Sequence, residues 1–191
     1  MSFKNAYNDT MGVEGGYVFD PTDRGGETYK GISRVYNHNW KGWDIIDSYK
    51  PFTNGYNELY SNPRLQKLTE NLYKRDYWDK PYLEAVDKLW EKLAEKLFDT
   101  GVNVGMGRAS KWLQSSLNLL NRNGKYYQDI SADGMIGPQT IRILEEAMKC
   151  NPKQRILNVF AVHQGEHYKA IMERDKTQER FVGWFDRLTY K

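Results

Sequence analysis

Apolar side chains return every three to four positions through most of the 191-residue chain, and strict polar–apolar alternation hardly appears, so the pattern predicts a mainly α protein. A first helix is expected from Phe3 to Glu14. Phe3, Tyr7, Met11 and Glu14 fall on one face of it, and Gly15-Gly16 closes the run. Between Tyr17 and Ser33 the helical pattern breaks: Asp20-Pro21-Thr22-Asp23-Arg24-Gly25-Gly26 is a dense turn cluster, and Thr28 to Ser33 suits a short extended run. A second loose region spans Trp40 to Asn57. Helical order resumes at Asn62-Pro63, a capping residue followed by proline at the first helical position, with Leu65, Leu68 and Leu72 leading towards Trp78.

Val86, Leu89, Trp90, Leu93, Leu97, Gly101 and Val104 then line one stripe, which predicts a long central buried helix over residues 86–104. Ala109 to Leu120 marks another helix, and Asn121 to Gly137 reads as a polar connection. Pro138 and Asn151-Pro152 start the last two helices, the second running through Ile156, Phe160, His163, His167 and Ile171. Trp184, Phe185 and Leu188 are expected to close the core.

Composition narrows the class. Cys150 is the only cysteine, so the fold stands on packing without an internal disulfide. The first ten residues hold no apolar stretch of signal-peptide length, and no segment approaches the roughly 20 apolar residues of a membrane span. The expectation is a protein made in the cytoplasm without a recognisable signal peptide; if its target lies outside, something else must carry it there. A net charge of +3 from 28 basic and 25 acidic residues leaves no basic stripe for nucleic acid. Fourteen Tyr and six Trp outweigh seven Phe; rings with a polar handle suit sugars, and they equally suit a core that needs volume.

Glu14 has the setting of a proton donor. On the apolar face of a helix, near its negative C-terminal end, a carboxyl is disfavoured in its charged form by desolvation and by the helix dipole alike. A raised pKa is what general-acid cleavage of a glycosidic bond requires at neutral pH. Gly15 and Gly16 leave room for a large substrate, and Asp20, Asp23, Thr28 and Tyr29 follow within fifteen residues.

Here the sequence resembles a known family. Val13-Glu14-Gly15-Gly16-Tyr17-Val18, Asp20-Pro21-Thr22-Asp23 and Gly25-Gly26-Glu27-Thr28-Tyr29-Lys30-Gly31-Ile32-Ser33 look like the signature of glycoside hydrolase family 108, lysozyme-like N-acetylmuramidases of phages and prophages. Phe98-Asp99-Thr100-Gly101-Val102-Asn103-Val104-Gly105 resembles the family's central helix. Asp133-Gly134-Met135-Ile136-Gly137-Pro138-Gln139-Thr140 and Phe181-Val182-Gly183-Trp184-Phe185-Asp186-Arg187 are similar to the predicted peptidoglycan-binding domain that accompanies it. Some such proteins carry the label secretion activator, which fits opening of the wall.

The resemblance implies a lysozyme-like fold with a catalytic part over residues 1–105 and a helical peptidoglycan-binding part over 106–191 packed on it. It implies peptidoglycan as partner, cleavage of the β-1,4 bond from N-acetylmuramic acid to N-acetylglucosamine, and no metal or organic cofactor. Glu14 takes the general-acid role. Asp23 and Thr28 follow in the order seen in phage lysozymes, where such residues position or activate water; the last spacing here is one residue shorter, and a turn-stabilising Asp or a strand Thr is the plainer reading of each. Ser33 stands where the family often has Thr and keeps the hydroxyl. Tyr17 and Tyr29 flank the proposed cleft as sugar-stacking or packing rings, and the Asn103 amide suits a sugar N-acetyl group or a buried backbone cap.

Two other readings compete. His163-Gln164-Gly165-Glu166-His167 matches the His-x-x-Glu-His pattern of inverted zinc peptidases, although a third protein ligand is needed and Gly165 weakens the helix that must hold the pair. A wall-binding or secretion-related module without catalysis is the other; formation of new reducing ends separates it from an enzyme.

Overall fold

The computed structural model describes residues 2–12, 16–20, 26–53 and 55–189. Glu14 and Asp23 lie outside the described residues. The chain divides into two compact units, 1–80 and 81–191, and the protein is mainly α with a lysozyme-like fold. No described helix is long and apolar enough to cross a membrane.

The first unit comprises α1 (Ser2–Met11), β1 (Tyr17–Phe19), β2 (Glu27–Tyr29), β3 (Ile32–Ser33), α2 (Gly42–Ser48), α3 (Asn57–Ser61) and α4 (Pro63–Tyr73), which runs on as a π-helical turn, Lys74–Asp79. α1 stops at Met11, a turn short of the expected end, where Gly12 brings the poorest helix former after proline. Its stripe works as anticipated up to that point. Phe3 meets Trp78 and Tyr7 meets Tyr73, at ring distances of 5.7 and 5.9 Å, while Lys4 pairs with Glu70 at 2.8 Å. Asn62 caps α4 by accepting from the Leu65 N–H at 2.9 Å, with Pro63 inside the first turn.

The strands form an antiparallel sheet in the order β1-β2-β3. Tyr17 lies opposite Tyr29, Val18 opposite Thr28 and Phe19 opposite Glu27; on the other side Thr28 faces Ser33 and Tyr29 faces Ile32. Tyr17, Tyr29 and Ile32 turn one face of the sheet into a core that also holds Trp43, Ile46, Leu59 and Leu65. β1 escaped the sequence pattern because three residues are too few to display an alternation. The supposedly loose stretch after Trp40 contains α2, anchored by the buried Trp43, whose indole donates to the Asn37 carbonyl at 2.8 Å.

The second unit comprises α5 (Leu83–Leu89), α6 (Glu91–Val104), α7 (Met106–Leu120), α8 (Pro138–Cys150), α9 (Lys153–Arg174) and a 3-10 segment, Lys176–Leu188. The long helix expected over 86–104 is two helices. Trp90 is extended (φ −162°, ψ 94°), its N–H closes α5 on the Val86 carbonyl at 2.7 Å, and its indole is buried under the Lys153 ammonium. That break lets α5 and α6 pack on each other instead of continuing one axis.

α6 buries Leu93, Leu97, Phe98 and Gly101 and packs against α7, which supplies Ala109, Leu113 and Leu117. The polar connection after α7 is pinned by Gln114, fully inside. Its amide nitrogen donates to Asp133 and Met135 and its oxygen accepts from the Gly134 N–H, at 2.9, 3.1 and 2.9 Å. Gly134 holds φ +85°, and a Cβ there would lie 2.6 Å from the Gly107 carbonyl oxygen, so only glycine fits.

The core-closing role expected of Trp184, Phe185 and Leu188 is not what they do. No residue of Lys176–Leu188 is buried; Trp184 leans on Tyr168 at 5.4 Å and stacks with Phe181 at 5.1 Å. A 3-10 segment presents a narrow row every third residue, which here covers α9 without being covered itself.

Candidate active site

Thr28 sits in the middle of the sheet. As the central residue of β2 it shares a face with Val18 and Ser33, its cross-strand partners, while its neighbours Glu27 and Tyr29 point to the opposite face. Val18 is largely exposed and Thr28 half-buried. The Thr28 hydroxyl has no hydrogen-bond partner among the described residues, so it is available to water or substrate. What holds it in place lies underneath.

There the buried Glu27, which the sequence pattern does not single out, is the hub of a half-exposed ionic network. Its carboxylate accepts from the Tyr17 hydroxyl at 2.8 Å, the Arg34 guanidinium at 2.6 Å and the Lys50 ammonium at 2.8 Å. Arg34 also pairs with Asp47 and lies 5.0 Å over the Trp43 ring, and Lys50 reaches Asp47 at 2.9 Å. Two carboxylates and two cations therefore balance.

Burial alone would raise the Glu27 pKa, but hydrogen bonds from Lys50, Arg34 and Tyr17 outweigh it and hold the group below the ordinary carboxylate value. Asp47 is held well below its usual range, mainly by the hydrogen bond from Arg34. Burial, then the bond to Glu27, pushes the Tyr17 phenol far up, so it stays a donor. Glu27 is thus an ionised anchor with no proton to give at neutral pH. A period-two reading of Glu27-Thr28-Tyr29 would have assigned the flanking residues to the inner face, but not their partners.

The two tyrosines named as stacking rings are packing residues in this structure. Tyr29 has no exposed surface; it stacks with Trp40 and Tyr60, accepts a hydrogen bond from Gln66 at 2.8 Å and donates to the Leu59 carbonyl at 3.3 Å. Tyr17, 8% exposed, packs between Phe52 and Tyr56, with centroids at 4.8 and 4.9 Å. The most exposed rings described in this unit are instead Phe19, Tyr36, Tyr56 and Tyr60. The loop after β3 also lines a cavity of about 240 Å³ with Tyr36, Asn39, Trp40 and Arg75.

Gly16 has a reason other than open access. The Tyr60 hydroxyl occupies the place a Cβ would take and accepts from the Tyr17 N–H at 3.1 Å, so the chain enters the sheet beneath that ring. The Lys30 N–H then ties to the Gly16 carbonyl at 3.0 Å, extending the β1–β2 pairing to the motif's last glycine.

Asn103 belongs to the second unit, at the end of α6. It is half-buried, and its side-chain oxygen faces the Tyr168 hydroxyl at 3.4 Å, which Gln164 contacts in turn at 2.7 Å. His163 and His167 lie on α9 beside the buried stripe. The His167 ring packs against Trp112, and the Arg108 guanidinium stands 3.3 Å from its Nε2. Burial and then Arg108 lower the His167 pKa. A guanidinium at that nitrogen also opposes a divalent cation there, and no three His, Cys, Asp or Glu residues are grouped for a metal among the described residues.

A small antiparallel sheet set among helices, entered through Gly16-Tyr17 and carrying Thr28 on its outer face, goes with a mainly α, lysozyme-like fold. The chain belongs to the glycosyl hydrolase 108 family, whose model matches residues 7–105, and residues 108–189 match the domain described as "Predicted Peptidoglycan domain". It is a glycoside hydrolase of peptidoglycan, with the cell wall as partner. Among solved structures, Brucella abortus SagA shares the fold, with a TM-score of 0.53, 20% identity, and coverage of 96% of this chain and 95% of that one. No curated protein matches.

Proposed function

We propose that this chain is an N-acetylmuramidase that cuts the β-1,4 bond from N-acetylmuramic acid to N-acetylglucosamine, with Glu14 as general acid and Asp23 and Thr28 holding the attacking water. The observation that carries the reading is the sheet. Thr28 offers a hydroxyl with no hydrogen-bond partner among the described residues, fourteen residues after Glu14 in sequence, on a strand that Glu27 and Tyr29 lock from beneath. The acid at Glu27 is held ionised by Arg34 and Lys50 and so is unsuited to donate a proton. Glu14, within the Glu-Gly-Gly-Tyr segment, is the motif's remaining glutamate.

In this mechanism Glu14 protonates the leaving oxygen as the bond opens, and water held by Asp23 and Thr28 attacks the opposite face of the sugar, giving its proton to the Asp23 carboxylate. General-acid assistance of this kind contributes about a hundred- to ten-thousand-fold. Residues up to about 105 supply the chemistry, and those from 106 on support and target it. The site of action is the wall, after export or holin-type release, in the manner of a prophage endolysin.

Digestion of purified peptidoglycan tests the bond. Mass spectrometry of the reduced products should find N-acetylmuramic acid at every new reducing end; N-acetylglucosamine there would overturn the assignment. Since water attacks from the far face, fresh product should carry the inverted anomer.

A further inference from the structure

The loop that follows β3 carries side chains that neither the sheet nor the ionic network uses. Its backbone is pinned around Asn37. The Asn37 N–H and side-chain amide both donate to the Ser33 carbonyl, at 2.9 and 3.1 Å, and the Asn37 carbonyl accepts from the Trp40 N–H at 3.0 Å and the Trp43 indole at 2.8 Å. Trp40 is fixed in turn: its ring stacks on Tyr29 and meets Trp43 edge-on, at 6.3 and 5.3 Å, and its indole donates to the Leu68 carbonyl at 3.4 Å. On this base Tyr36, His38 and Asn39 stand exposed, Tyr36 by 73%.

Together with Trp40, the buried Leu72 and Arg75 they line a cavity of about 240 Å³. We infer that this cavity is a glycan subsite, holding one N-acetylhexosamine unit of the strand away from the bond that is cut. The Tyr36 ring meets the apolar face of the sugar, and Asn39, His38 and Arg75 hydrogen-bond its acetamido group and hydroxyls.

Each part of the lining favours that ligand. A largely exposed tyrosine on a pinned backbone offers a ring and a polar tip to a sugar at little ordering cost. The Asn39 amide has both donors and an acceptor, matching the carbonyl and N–H of an acetamido group. Arg75 forks onto Asp76 through Nε, at 2.9 Å, and one terminal nitrogen, which leaves N–H donors on the other. The loop also leaves the sheet in a suitable place. Ser33 lies opposite Thr28, and three residues of chain reach at most about 11 Å, so with about 5 Å between paired strands the Tyr36 backbone is within roughly 16 Å of Thr28. A strand of several sugars lying over Thr28 spans that distance. The inference rests on the reading of the chain as a peptidoglycan hydrolase with Thr28 beside the bond that is cut.

The test titrates the full chain with tri-N-acetylchitotriose, following backbone amide shifts, and measures cleavage of soluble, uncross-linked glycan strands on the same samples. Saturable shifts at residues 36–40 are expected. Tyr36→Ala should weaken binding about tenfold and Asn39→Ala several-fold, while Tyr36→Phe, which keeps the ring, stays near the parent. Both positions are exposed, so the fold is retained, and thermal unfolding recorded for each variant checks it. Cellotriose, with hydroxyls in place of acetamido groups, should bind more weakly than the N-acetylated trimer. On glycan strands Tyr36→Ala should raise KM about tenfold with kcat nearly unchanged, the split of a group that holds ground state and transition state alike. A wall-digesting protein in which the trimer moves none of these amides, or in which Tyr36→Ala binds and cleaves like the parent, would overturn the site. Cellotriose binding as tightly as the trimer, or inorganic phosphate binding the same residues more tightly, would overturn the ligand. Tyr36-dependent binding of the trimer by a chain that cuts no glycan would support the site and remove the muramidase reading instead.

Discussion

At the scale of single residues, two glutamates of one motif have opposite requirements. Glu27 is kept charged by two cations and a phenol, whereas a general acid must keep its proton. The sequence made Glu14 visible through its helical register and its glycines, but Glu27 lay unread because Arg34, Asp47 and Lys50 reach it only through the folded loop. Replacing it separates support from chemistry. Glu27→Gln should cost about 2 kcal/mol, since it leaves Arg34 and Lys50 short of an anion in a half-buried place. The pH dependence has a definite sign. A carboxylate with a depressed folded pKa stabilises the protein above its unfolded value of about 4, and loses that contribution as pH falls through the folded value. Thermal unfolding from about pH 2 to 7 should therefore show a shallower acid limb in Glu27→Gln than in the parent. Parallel limbs would mean that Glu27 is not the anchor described.

At the scale of elements, most helices were readable because periodicity, proline starts and the Asn62 cap act locally. The failures have local causes too. Gly12 ended α1 at Met11, Trp90 broke a continuous apolar stripe by adopting an extended backbone, and β1 was too short to show a pattern. The final aromatic segment looked like core because apolar rings recur in it, yet a 3-10 row covers a helix without becoming buried. The Asp133-Gly134 motif, which lies within the matched peptidoglycan domain, serves there as a structural clasp around Gln114. Gly134→Ala meets both a left-handed backbone and the Gly107 carbonyl, and should cost about 3 kcal/mol. Urea unfolding checks this; a loss below about 1 kcal/mol would show that the loop can move away from α7.

At the scale of the whole molecule, the family match over 7–105 and the compact units divide the chain at different places. α6 falls within the glycosyl hydrolase match but packs in the second unit, where it lies against α7 and where Asp99 pairs with Arg187. A chain ending at Gly105 would expose Leu93, Leu97 and Phe98 to water, so it should be insoluble or lack cooperative unfolding. A truncated chain that folds and digests wall as well as the parent would contradict that. Sequence supplied the family motifs and the roles proposed for them; the ionic floor beneath Thr28 and the cavity beside Tyr36 depend on long-range packing that no local pattern encodes. The proposed chemistry turns on Glu14, and the most direct measurement is release of reducing ends from purified peptidoglycan by Glu14→Gln beside the parent, with thermal unfolding recorded for both. Loss of about a hundred- to ten-thousand-fold in turnover with folding retained is the predicted result, and a folded Glu14→Gln protein with near-parental activity would contradict it.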